Sequence, residues 1–279
     1  MGILLPRCDL KQNGEAYRPM KSSLLFLGSG ASLGVPMIGC DCAVCKSNTP
    51  FNRRTRSSAY LKIGDRRLVI DVGPEFREQA LTHHIKCVDG IILTHAHQDH
   101  VAGLDDLRAL FFKKKAPIPL IMSKETRKDV EERFYYLFKR DSKSEIGPRV
   151  EAVELPCEAG GEKFSDVCFR YFTYEQQGMK VTGLRFGDLA YVTDIRDYDE
   201  SVFEELEGVK TLVLSALRHS KSEMHFTVDE ACQFAEKVGA KSTYLTHISH
   251  DMDHFETATK LPPGVHMSYD GLEIPFTGY

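Results

Sequence analysis

The 279-residue chain carries 36 Lys and Arg against 40 Asp and Glu, a formal charge of −4, and 42% of its residues are hydrophobic. That is enough apolar material for one large core, and the slight acidic balance excludes the broad basic surface of a strong nucleic-acid binder while suiting an enzyme of small molecules. No run of about eighteen apolar residues could span a bilayer and no secretory apolar region opens the chain, so a reducing cytoplasm is the expected compartment for its eight cysteines.

Residues 1–21, with Pro, Gly, Asn and charges, read as an extension, and 22–279 as a single domain without linker, internal repeat or low-complexity tract. Strands are predicted near 22–27, 58–63 and 67–71, then a helix from 75, a strand at 90–93 and helices near 104–112 and 124–136. Strands near 167–171 and 189–193, a helix near 199–206, a strand at 211–215, a helix at 228–238 and a strand at 242–246 follow. Gly64-Asp65 and Gly187-Asp188 each separate two strand-like runs and read as hairpin turns, which makes the fold class α/β with mixed sheets.

Between the first two strands, Gly28-Ser-Gly-Ala-Ser-Leu-Gly34-Val-Pro36 leads into Cys40-Asp-Cys42-Ala-Val-Cys45. Three thiols in six residues cannot easily pair with each other, and in a reducing compartment such clusters bind zinc more often than they form disulfides. Tetrahedral zinc needs a fourth ligand. His250 is the candidate and His254 its rival, both in His247-Ile-Ser-His250-Asp-Met-Asp-His254. Cys8, Cys87, Cys157, Cys168 and Cys232 read as small apolar filler.

The apolar run Gly90 to Leu93 is followed by His95-Ala-His97-Gln-Asp99-His100 and then by Gly103-Leu-Asp-Asp-Leu107, the acidic first turn of a helix. A lone histidine usually satisfies a core hydrogen bond. Three imidazoles and a carboxylate within six residues at a strand end instead form a ligand set for borderline and hard divalent metals. Two later strand-like runs also end in potential ligands, Asp194 after Leu189 to Thr193 and His247 after Tyr244-Leu-Thr; Asp194 could alternatively cap a helix ahead of Tyr198.

This pattern resembles the metallo-β-lactamase superfamily, and the resemblance implies an αββα four-layer sandwich holding one or two metal ions at its edge. It implies that His95 and His97 serve one metal, that Asp99, His100 and His247 serve a second, and that Asp194 bridges them. The histidine expected to complete the first site is absent, since none lies between His100 and His219; its place falls at or beside Gln177 in Tyr174-Glu-Gln-Gln-Gly178. An amide oxygen suits Mn²⁺ or Mg²⁺ and competes poorly for zinc, so the site of His95 and His97 is expected to be the weaker one.

Together with the cysteine cluster, Arg54-Thr-Arg56-Ser-Ser58 and Ile70-Asp71-Val-Gly-Pro74-Glu-Phe-Arg77 narrow the resemblance. It points to the phosphoribosyl 1,2-cyclic phosphate phosphodiesterase (PhnP-like) family over about 22–271; the pyrroloquinoline quinone biosynthesis protein looks similar too. The implied activity is metal-dependent hydrolysis of a small, possibly cyclic, phosphodiester by a metal-bridged hydroxide, with two Mn or Zn ions and one structural Zn. Under this resemblance His225 donates the leaving-group proton, Asp99 belongs to the catalytic set and Asp71 orients a histidine of the first site; the role of His219 stays open. The expected partner is a small phosphodiester, with no membrane or nucleic acid, and a homodimer is left open. The alternatives are a tRNase Z-like RNA-processing nuclease and a weakly active or non-catalytic binding protein. Lys113-Lys-Lys115 and Lys139-Arg140 are short basic runs that read as solvated, against the RNA alternative.

Overall fold

The computed structural model describes residues 19–139 and 149–278. The first sheet is built from β1 (Met20–Gly28), β2 (Ser58–Ile63), β3 (Arg66–Ile70), β4 (Gly90–Ile92), β5 (Ile118–Met122) and β6 (Val150–Glu154), side by side in that order. The second runs through β7 (Ala159–Phe164), β8 (Val167–Gln176), β9 (Met179–Phe186), β10 (Leu189–Val192), β11 (Thr211–Ser215), β12 (Ser242–Thr246) and β13 (Val265–Met267); β14 (Glu273–Gly278) returns to pair with β1.

The strands read as continuous apolar runs because both of their faces are buried. In β1, Leu24 and Phe26 enter a cluster with Phe169, Tyr171 and Tyr191 of the second sheet, whereas Leu25 and Leu27 enter another on the opposite face. That second cluster is closed by helices: Phe76 of α2 (Phe76–Thr82; α1 is Ala43–Lys46), Leu107 of α4 (Leu107–Lys114; α3 is Gln98–Val101), Val130 of α5 (Lys124–Arg133) and Leu137 of α6 (Tyr135–Phe138). On the far side of the second sheet, Val202 of α7 (Val202–Leu206) and Val228, Ala231 and Ala235 of α8 (Val228–Val238) cover Ala190, Val192 and Leu214. The result is an αββα sandwich. Among the described residues no helix is long and apolar enough to cross a membrane.

Several expectations need correcting. Met20 and Lys21, assigned to the extension, pair with Gly278 and Thr277, so the sheet starts two residues earlier. β5, β6, β7, β13 and β14 escaped the apolar pattern: β5 contains Pro119, β6 alternates with Glu151 and Glu154, β7 is Ala-Gly-Gly-Glu-Lys-Phe, and the last two are short or carry Pro275. The helix expected at 104–112 is preceded by α3 and a 3₁₀ segment, Ala102–Asp106, and the one at 124–136 breaks at Phe134, whose φ of −114° interrupts the hydrogen-bond ladder between α5 and α6. Both hairpins form as expected, with Gly64 and Gly187 at φ of 53° and 60°. Lys113 and Lys114 end α4 and are exposed, as expected of a solvated run, while Arg140 and Cys8 lie outside the described residues.

Candidate metal centre

β3, β4 and β5 are parallel to one another, as are β10, β11, β12 and β13, and their C-terminal ends deliver the polar residues. Asp71, Asp194 and His247 each follow a strand with φ of 60°, 55° and 57°. A non-glycine residue in this left-handed region costs on the order of 1 kcal/mol or more and turns the chain sharply, aiming its side chain into the cleft. The loop after β4 is pressed onto the end of β3, where Val72 N donates to His100 O at 2.8 Å and Gly103 N to Val72 O at 2.9 Å. Glycine is required there: a Cβ on Gly103 would lie 2.2 Å from Gly73 O, and one on Gly73 2.4 Å from Asp99 O.

The imidazoles are aimed by a buried relay. Thr94 donates to Asp71 from its N and its Oγ1, both at 2.8 Å, and its Oγ1 meets His95 Nδ1 at 2.9 Å. Asp71 Oδ2 also meets His100 Nδ1 at 2.7 Å. With Nδ1 of both rings donating inward, the Nε2 lone pairs face the cleft. His95 Nε2 lies 3.0 Å from His97 Nδ1. His100 Nε2 is fully buried without a hydrogen-bond partner, although it sits 3.3 Å from Asp194 Oδ2 and 3.4 Å from Asp99 Oδ2. His247 Nε2 faces the same two carboxylates, at 3.2 Å and 3.4 Å.

An orphaned buried nitrogen between two carboxylate oxygens fits a cation far better than it fits bare protein. His95, His100 and Asp194 converge on one point, Asp99, His100 and His247 on a second, and Asp194, His225 and His247 on a third. Asp194 thus stands between the groups, and the residues present fit two divalent ions. Burial opposes ionisation of Asp99 and Asp194, yet the surrounding imidazoles hold both carboxyls below their usual range, and His100 is raised by its three carboxylate neighbours against its own burial. Burial, and then His100, keeps His95 well below the ordinary imidazole value; His225, buried beside His247, is lowered to about 4.

Asp71 orients His100, of the Asp-His pair, and reaches the first-site His95 only through Thr94, which corrects its expected role. Asp71→Asn is expected to lower metal affinity or activity by about 10- to 100-fold with the fold retained, as seen when carboxylates behind metal-bound imidazoles are removed; calorimetric metal titration checks it. The Gln177 assignment is also corrected. Gln177 is exposed in the β8–β9 turn at φ 47°, whereas Gln176 is 2% exposed, with Nε2 3.3 Å from Asp194 Oδ1 and 3.1 Å from both ring nitrogens of His225. Strand alternation is the reason: Phe172, Tyr174 and Gln176 are buried on one side while Glu175 and Gln177 point outward. Gln176→His is therefore expected to raise metal occupancy and activity together, and Gln177→His to change neither; a metal count on both variants decides.

His225 sits in the cluster, its N donating to Ser222 Oγ at 3.3 Å, two residues before Thr227, whose side chain and N3 partner Glu230 form a reciprocal cap at the start of α8. His219 is exposed and belongs to none of the ligand groups. Thr94 was missed by sequence reasoning, its signal being only its place between the strand and the histidine motif.

Cys40, Cys42, Cys45 and His250 form a separate group of four. His250 Nδ1 lies 3.4 Å and 3.5 Å from Cys40 and Cys42 Sγ, and the adjacent chain is fixed by Ile248 N donating to Ser29 O and Ala31 N to Ile248 O. Cys42 caps α1 and is lowered to about 6, mainly by His250, while burial raises Cys45 to about 11. A donor set of three thiols and one imidazole fits tetrahedral zinc. The rival His254 is engaged elsewhere, 3.1 Å from Arg54 Nη2 and 4.8 Å from the Phe51 ring. Cys87 and Cys157 are exposed rather than apolar filler.

The family model for the beta-lactamase superfamily domain matches residues 66–248. The crystal structure of a diphosphatase from the PhnP family superposes with a TM-score of 0.87 at 39% identity, covering 94% of this chain and 99% of that one. A Porphyromonas gingivalis protein named octanoyltransferase is 32% identical over 256 residues, 89% of this chain but 50% of that protein, so the chain spans half the length of this relative. Zn²⁺-bound PqqB from Methylobacterium extorquens shares the fold, with a TM-score of 0.71 at 19% identity over 90% of this chain and 99% of that one. Fold and site define a chain of the metallo-β-lactamase fold whose cleft carries a ligand set fit for divalent metal ions. The chain belongs to the beta-lactamase superfamily and, within it, to the PhnP family.

Proposed function

We propose that the protein hydrolyses a small phosphodiester, cyclic or linear. The observation that carries this reading is the convergence of Asp99, Asp194 and the orphaned His100 Nε2 with His225, which also lines a cavity of about 560 Å³ opening beside the cluster. Two divalent cations bound there would supply an activated water and neutralise the phosphate charge. His95, His97 and Asp194 would hold the first, and Asp99, His100, His247 and Asp194 the second. His225, with Nδ1 3.5 Å from Asp194 Oδ1 and both ring nitrogens 3.1 Å from Gln176 Nε2, would carry the proton for the departing oxygen. Gln176 fixes that ring by its amide, and the three thiols with His250 would hold a structural zinc.

A second reading, cleavage of a diphosphate linkage, is supported by the name of the PhnP-family diphosphatase. One screen tests both: cyclic and linear phosphodiesters and diphosphate diesters, each with Mn²⁺, Mg²⁺, Zn²⁺ or Ni²⁺. Turnover of a monophosphate diester that vanishes with chelator supports the first reading. Turnover confined to the diphosphate linkage selects the second, and failure on every substrate with every metal contradicts both.

A further inference from the structure

The cavity beside His225 has a floor and walls that the metal cluster does not use. It lies between the loop around Leu33, the segment from Leu217 to His225, and the turn at Ser249–Asp251 that carries the thiol-bound His250. At about 560 Å³ it is the size of sites that take a nucleotide-sized molecule. Its walls combine carbon surface with one ill-satisfied cation: Leu33 and Met224 are 61% and 41% exposed, and Arg218 lies among them.

The backbone of Arg218 is pinned, because it bridges to Thr227 and its carbonyl accepts from Val228 N at 3.0 Å. Its side chain is not. Nη2 reaches only the carbonyl of Lys221, at 3.2 Å, and Nε is buried with no acceptor; among the described residues no carboxylate pairs with this guanidinium. The acidic residues of the cavity do not supply the missing partner, since Glu223 is exposed and Asp251 accepts from Ser249 Oγ at 2.9 Å. A buried guanidinium donor without an acceptor is costly, and its planar fork matches the oxygens of a phosphate or carboxylate.

We infer that this cavity is the leaving-group subsite and that Arg218 receives an anionic substituent on the leaving group, in the first instance a second phosphate. The inference rests on the hydrolase reading above. In a diphosphate diester the oxygen of water bonds to one phosphorus as the bridging P–O bond breaks. The electron pair stays on the bridging oxygen, now part of the departing phosphate monoester, and the proton released by water reaches that oxygen through His225. The departing monoester is then anionic beside the Arg218 guanidinium, which no carboxylate among the described residues neutralises, and its organic part lies along Leu33 and Met224.

The Mn²⁺-loaded protein and its Arg218→Gln and Arg218→Lys variants are compared on ADP-ribose and on bis-p-nitrophenyl phosphate, whose leaving group carries no second phosphate. In Arg218→Gln the ratio of kcat/KM for ADP-ribose to that for the nitrophenyl ester is expected to fall about tenfold or more, through KM, with partial recovery in Arg218→Lys. AMP binding by calorimetry, with adenosine as the uncharged control, is expected to weaken to the same extent in Arg218→Gln while adenosine is unaffected. An unchanged ratio, with both substrates losing equally, assigns Arg218 to holding its loop and overturns the inference without touching the proposed function. Equal AMP affinity in both proteins overturns it even if neither substrate is turned over, an outcome that separately counts against the hydrolase reading.

Discussion

Asp194→Ala is expected to lower hydrolysis about a thousandfold or more and to leave the protein unable to retain two cluster metals. Asp194 is 1% exposed, stands within reach of His100, His225 and His247, and belongs to two of the convergent groups. Charge stabilisation by bound cations contributes several kcal/mol, and about 1.4 kcal/mol is a factor of ten in rate. Asp194→Asn keeps the shape and removes the charge, so it should lose nearly as much. If either variant kept full activity with metal bound in wild-type ratio, Asp194 would not be the shared ligand.

Cys42→Ser is expected to empty the thiol site and lower thermal stability. Cys42 caps α1, its thiol is held below the ordinary value mainly by His250, and through His250 the group ties residues 40–45 to the end of the chain's second sheet. With a loss of about 3 kcal/mol the midpoint of unfolding should fall by roughly 6 to 12 °C. Because His250 also lines the cavity beside His225, KM should rise more than kcat falls. Elemental analysis that still found one tightly held zinc, with unchanged melting, would refute the assignment of Cys42 as a ligand.

Much of the site was legible because ligands stand at strand ends, and a strand end is marked in sequence by an apolar run that stops at a polar residue. His95, Asp99, His100, Asp194 and His247, which converge in the cleft, were marked that way, whereas His97 lies outside the convergent groups with Nδ1 3.0 Å from His95 Nε2. The thiol group was legible from spacing alone, and His250 from its position three residues past His247. What stayed hidden depended on which face of a strand a residue occupies. Gln176 and Gln177 are adjacent and chemically identical, and only the parity set by Tyr174 distinguishes them. Similarly, Asp71 could be recognised as a partner of some imidazole, but the choice of His100 depends on the close approach of Gly73 and Gly103, a contact between segments that no local pattern encodes. The edge strands with glycine, proline and acidic residues lacked apolar periodicity, since their place is decided by pairing with an already formed neighbour.

The most direct test is anomalous diffraction from crystals of the protein loaded with Mn²⁺ and Zn²⁺. The account expects two peaks in the cleft, one bonded to His95 Nε2, His97 Nδ1 and Asp194, the other to Asp99, His100 Nε2, His247 Nε2 and Asp194, at about 2.0 to 2.6 Å. A third peak, at the zinc edge, is expected among Cys40, Cys42, Cys45 and His250. A cleft without metal at saturating Mn²⁺, or ions bonded elsewhere while Asp194 stands more than about 4 Å away, would contradict it.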